Sequence, residues 1–147
     1  NTAPYLLFVT GTVADEAYLL GVLSSIVMDW YARRFVENHL NFHLFNAFPV
    51  PRPNQSNRVY LEIARIAGRL AAVDGRYTDW ATAVGVGVGS ISTAEEREDL
   101  EARLDAAVAI LYELGPSDVE LIFKTFHEGW SYGERLDAVK RHMGELL

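Results

Sequence analysis

His39 and His43 stand four residues apart with Asn38 and Asn41 beside them, and Arg33-Arg34 lie just upstream next to Trp30-Tyr31. Side chains of these types can read nucleic acid, or serve as satisfied structural polar groups. Arginine pairs with phosphate or bidentately with guanine, and asparagine pairs with adenine. Aromatic rings stack on unpaired bases. A plainer reading has Trp30, Tyr31 and Phe35 in a core, with Arg33, Arg34 and Arg52 solvated or bridged to Asp29 and Glu37. A histidine pair at this spacing shares one face of a helix or of a strand, which also suits a metal ion. With Glu37 the one nearby carboxylate and no cysteine anywhere, the donor set does not favour a metal.

The remaining chemical signals are weaker. Gly85-Val86-Gly87-Val88-Gly89 has spaced glycines, but it lacks a lysine and a strand-turn-helix setting, so it reads as a connector and not a phosphate loop. His127-Glu128 resembles an acid–base pair, yet it sits where a helix ends and a histidine complements the helix dipole. Glu95, Glu96, Glu98, Asp99 and Glu101 fit the solvated first turns of a helix. No nucleophile, base and orienting group converge, so the residues do not compose an enzyme by themselves.

The elements that would position these residues follow from periodicity. Tyr5 to Thr10 is a short apolar, β-branched and aromatic run ended by Gly11, and predicts a buried strand. Thr12 or Asp15 opens a helix, within which Ser24-Ser25 marks either a break or a close contact. The pattern then resumes through Val36. Leu40, Phe42 and Leu44 alternate with polar residues, which predicts a half-buried strand with Asn41 and His43 on its other face. Pro49, Pro51 and Pro53 force an extended segment and the main boundary of the chain.

Beyond that boundary the pattern is helical. A long helix capped by Asn54 or Ser56 runs to about Val73, and a shorter one opens at Thr78. A Ser92–Glu95 capping box starts another, ended by Gly115-Pro116. Two more follow, capped near Ser117-Asp118 and starting from Ser131. The expected fold is α+β and predominantly helical. A small β-containing lobe (residues 1–53) precedes a bundle-like helical lobe (residues 54–147).

The charge is unevenly distributed. Residues 1–91 carry seven arginines and seven acids, whereas residues 92–147 carry six basic and thirteen acidic residues, the whole of the net −7. The second part will not attract a phosphate backbone, so a nucleic-acid surface belongs to the first. The absence of cysteine excludes a disulfide framework and fits a cytoplasmic protein. No apolar run approaches the roughly 20 residues of a membrane span. The opening Asn1-Thr2-Ala3-Pro4 lacks a signal-peptide pattern and reads as the cut end of an excised fragment.

Leu19-Leu20-Gly21-Val22-Leu23-Ser24-Ser25 followed by Phe48-Pro49-Val50-Pro51-Arg52-Pro53 resembles the helix and proline-rich exit of target-recognition domains. Such domains occur in type I specificity subunits and in adenine methyltransferases fused to type II restriction enzymes. The block from Met28 to Pro53 is similar to the version in large single-chain restriction-modification or phage-defence methylases, and the stretch from Glu113 to Met143 to their carboxy-terminal tail. Ser24 departs from the asparagine usual there. The Asn/Asp-Pro-Pro-Tyr/Phe motif, the S-adenosylmethionine loop and the nuclease motif are all missing.

The resemblance implies a non-catalytic specificity fragment from the carboxy-terminal region of a bacterial adenine-N6 DNA methyltransferase. Residues 1–53 would be the end of the target-recognition domain, and Arg33, Arg34, Asn38, His39, Asn41, His43 and Arg52 the candidate contacts to double-stranded DNA. No cofactor is expected in this fragment, with S-adenosylmethionine bound elsewhere in the parent enzyme. The helical part would brace the recognition domain against the rest of the polypeptide. The alternative is an acidic helical interaction module that touches no DNA.

Overall fold

The protein is described here by a computed structural model, which places residues 9–36, 40, 42–126 and 131–147. Thr12 and Asp15 start the first helix by a reciprocal capping box. The Asp15 N–H donates to Thr12 Oγ1 at 3.3 Å, and the Thr12 N–H to Asp15 Oδ2 at 2.7 Å. Helix α1 (Val13–Ser24) then ends at Ser25, whose extended backbone caps α2 (Ile26–Arg33). The Ser25 hydroxyl donates to the Val22 carbonyl and accepts from the Met28 N–H, so one buried side chain serves both helix ends.

A short helix, α3 (Phe42–Asn46), leads into the proline-rich segment. Asn57 caps α4 (Arg58–Ala71). A 3-10 turn, Gly75–Tyr77, precedes α5 (Thr78–Val84), which Gly85 ends in the left-handed region at φ 83°. The acid-rich α6 (Ala94–Leu111), α7 (Pro116–Phe126) and α8 (Gly133–Leu146) complete the order.

Every regular element among the described residues is a helix or a 3-10 turn, so the expected α+β class with a β-containing lobe is corrected to an all-helical fold. The alternation at Leu40, Phe42 and Leu44 does not make a strand, because Phe42 to Asn46 form α3. A lone strand would leave its backbone N–H and C=O groups unpaired, whereas a helical turn satisfies them locally. In α3 the Phe45 ring reaches Phe48 at 5.7 Å. Of the other expected strand, Tyr5 to Phe8 lie outside the described residues, and Val9 and Thr10 are exposed bends. The capping box expected at Ser92–Glu95 is replaced by a Thr93 cap. Thr93 Oγ1 accepts from the Glu96 N–H, and Glu96 accepts from the Ser92 N–H.

Helices α1 and α4 lie side by side with their amino-terminal ends together, and their approach is set by Gly21. A Cβ there would stand 2.6 Å from Ile63 Cγ2 and 3.1 Å from Ala67 Cβ. Helix α6 runs antiparallel to α4, with Arg103 against Glu62 at one end and Arg69 against Glu96 at the other. Helix α8 packs across α6, and α2 lies against α6 and α7. One apolar cluster joins Val22, Ile26 and Met28 to Ile63, Val108, Phe123 and Met143, drawing on residues from both sides of the proline-rich segment. No described helix is long and apolar enough to cross a membrane.

Candidate nucleic-acid interface

The Ser25 break turns α2 away from α1 and aims its last turn outward. Trp30 is fixed by its indole N–H, which donates to Thr125 Oγ1 on α7 at 3.0 Å. Arg33 remains 67% exposed. Its guanidinium lies 4.6 Å from the centre of the Phe126 ring, and its Nε is 3.2 Å from Asp29 Oδ1 one turn back. Arg34 stacks on Trp30, with its guanidinium carbon 4.9 Å from the ring centre. Rings restrict these long side chains without neutralising them. An exposed helical pair such as Asp29–Arg33 contributes only about 0.3–0.5 kcal/mol, so it does not withhold Arg33 from a phosphate.

An aromatic chain connects this turn to the proline-rich segment. Tyr31 meets Phe35 at 5.0 Å and Phe48 at 5.9 Å, the latter edge to face. The segment itself is held by its main chain. The Tyr112 hydroxyl donates to the Pro49 carbonyl at 2.9 Å and the Tyr18 hydroxyl to the Pro51 carbonyl at 2.7 Å. Burial pushes the Tyr112 hydroxyl up to about 12 and raises that of Tyr18 further. Arg52 is exposed between Pro51 and Pro53, and His43 is exposed on α3. Among the described residues neither Arg34 nor Arg52 pairs with a carboxylate.

Of the seven expected contacts, Arg33, Arg34, His43 and Arg52 are therefore surface side chains. Asn38, His39 and Asn41 lie outside the described residues, as do His127 and Glu128. The aromatic chain links the α2 turn to the proline-rich segment, but His43 belongs to a helix and not to the expected strand. Among the described residues no group of three or more His, Asp or Glu side chains is arranged to hold a metal ion.

No family model, curated protein or solved structure matches this chain.

Sequence reasoning missed two buried charged or chargeable centres, Asp105 and His142. Asp105 is 1% exposed. Its Oδ1 accepts from the Ile26 N–H at 2.8 Å and its Oδ2 from Arg135 Nη2 at 2.7 Å, so it ties the α1–α2 break to α6 and α8. Burial pushes its carboxyl up, opposed by Arg135 and the Ile26 N–H. The signal was a lone acid in the apolar run Leu104-Asp105-Ala106-Ala107-Val108. A cleft of about 480 Å³ opens beside it, with Asp29, Arg97 and Glu101 among its walls. Its arginines already have partners: Arg97 approaches Glu101 and the Leu70 carbonyl, and Arg135 holds Asp105. The second buried group, His142, lies between Asp99 and Glu145.

Proposed function

We propose that this chain is a non-catalytic DNA-recognition module acting within a larger DNA adenine methyltransferase, with or without an endonuclease activity. One observation carries the reading: Arg33 and Arg34 are solvent-facing and steadied on aromatic rings, and the Tyr31–Phe48 contact joins their turn to the proline-rich segment that displays Arg52. Cations restrained in this way lose little side-chain freedom on meeting phosphate or a base edge. The motif resemblance over Leu19–Ser25 and Phe48–Pro53 supplies the family context. Double-stranded DNA is the partner, engaged together with the rest of the parent polypeptide, which holds S-adenosylmethionine.

The acidic-docking alternative has less support. Much of the negative charge after residue 91 is engaged within the molecule: Glu96 by Arg69, Asp99 by Arg141, Asp105 by Arg135 and Glu120 by Lys140. A basic partner would have to displace these arginines and the lysine, or be confined to exposed acids such as Glu98, Glu113, Glu134 and Asp137 that carry no ion pair among the described residues.

The test is DNA binding by the parent protein across a salt series, with Arg33→Ala and Arg34→Ala combined. If both reach phosphates, binding weakens and the slope of log affinity against log salt falls by about 2. Unchanged affinity and slope would remove these residues from the interface. The isolated 147-residue chain is expected to bind weakly, because specific recognition needs more phosphate contacts than it offers.

A further inference from the structure

We propose that His142 is a proton-operated latch holding the last turn of α8 to α6. Its ring is 3% exposed, with Nε2 at 2.9 Å from Asp99 Oδ1 and Nδ1 at 3.1 Å from Glu145 Oε2. A neutral imidazole carries one N–H and donates to one carboxylate. Its other nitrogen then turns a lone pair toward an anionic oxygen, which is repulsive. Both contacts are attractive together only when the ring carries two protons.

The surroundings supply a second arrangement for the neutral ring. Helix α6 contributes Asp99 and Arg103, whose Nη1 stands 3.5 Å from Nδ1. Helix α8 contributes Glu145 and Arg141, and Arg141 reaches both Asp99 and Glu145. Helix α4 contributes Glu62, which grips Arg103 at 2.6 Å and is shared with Arg65, and Arg58, which donates to the Leu146 carbonyl. On losing a proton, Nδ1 becomes an acceptor for Arg103. Glu145 then loses its ring contact and keeps only its arginines. The carboxyl of Glu145 is held below its ordinary value, first by the hydrogen bond from His142, as expected of a carboxylate facing a donor.

The latch holds while the ring carries both protons and releases when it gives one up. Glu145 and the buried Leu146 form the last turn of α8. Release therefore loosens that turn and, through Arg58, its hold on α4.

The experiment is a pH titration of the 147-residue chain between pH 5 and 9. Ring-nitrogen NMR of His142 would be read beside amide exchange in the last turn of α8, corrected for intrinsic rates. Both ring nitrogens are expected to carry protons at pH 5 and Nε2 alone at pH 9, with exchange accelerating about tenfold across the transition, the effect of losing one charge-assisted hydrogen bond. Glu145→Gln should move the ring transition to lower pH and shrink the exchange change. A singly protonated ring at pH 5, or exchange that ignores the ring transition, overturns the proposal. His142→Gln should abolish the pH dependence; if that variant does not fold, the wild-type titration still decides.

Discussion

The α4–α6–α8 face and the α2–proline face handle charge in opposite ways. In the first, arginines and acids interlock across helices: Glu62 with Arg103, Asp99 with Arg141 and His142, Asp105 with Arg135. In the second, Arg33, Arg34 and Arg52 point outward and rings steady two of them. Charge used internally builds the fold, and charge left outward remains for a partner. The net charge of −7 hides this division, because ion pairs cancel in the sum and the excess falls on acids such as Glu98, Glu113, Glu134 and Asp137, which have no ion pair among the described residues.

The comparison breaks most visibly at Asp105. Asp105→Ala leaves Arg135 and the Ile26 N–H without their buried partner and should cost about 3–5 kcal/mol in denaturant unfolding. A loss below about 1 kcal/mol, the range of a surface pair, would show that the network is ornamental.

Gly21→Ala comes next. The added methyl must displace Ile63 and should cost about 1–3 kcal/mol by the same measurement. A neutral result would mean that α1 and α4 do not approach as closely as described.

Between the two faces lie the tyrosine hydroxyls that hold the proline-rich segment. Tyr112 is pushed up to about 12, so the folded state keeps a proton that the unfolded chain releases near pH 10. This contribution is complete below about pH 10 and is lost as pH rises toward 12. Tyr112→Phe should blunt that alkaline loss and cost about 1 kcal/mol at neutral pH. An alkaline unfolding curve identical to wild type would remove the hydroxyl from this role.

The smallest effect sharpens the contrast. Arg33→Ala with Arg34→Ala should change unfolding free energy by less than about 0.5 kcal/mol for each residue, since exposed positions carry little stability. A larger loss would assign the pair to the scaffold.

Local features of the chain were legible in its sequence. The period of 3.6 predicted α1, α4 and α6, and Ser24-Ser25 stood out as either a break or a close contact, of which the Ser25 cap makes it the break. The strand over Leu40–Leu44 was misread. Three alternating apolar residues satisfy a period of two, yet over so short a run they also fit a helical turn. Arg33 and Arg34 were visible as an Arg pair beside aromatics, whereas the Phe126 ring under Arg33 lies 93 residues further along. Asp105 and His142 were not legible as centres, because Ile26 is 79 positions from Asp105 and Asp99 is 43 from His142. A lone polar residue in an apolar run signals such a centre without naming its partner.

The proline-rich segment is anchored through the carbonyl oxygens of Pro49 and Pro51, atoms that every amino acid possesses. Val50 between them packs on the core, but those two hydrogen bonds are blind to the exposed side chain just after, at position 52. Position 52 can be exchanged for another residue with the main chain staying in place, so a recognition surface built here can change its vocabulary while keeping its grammar. Replacing Arg52 by each amino acid in turn would chart how far that freedom extends.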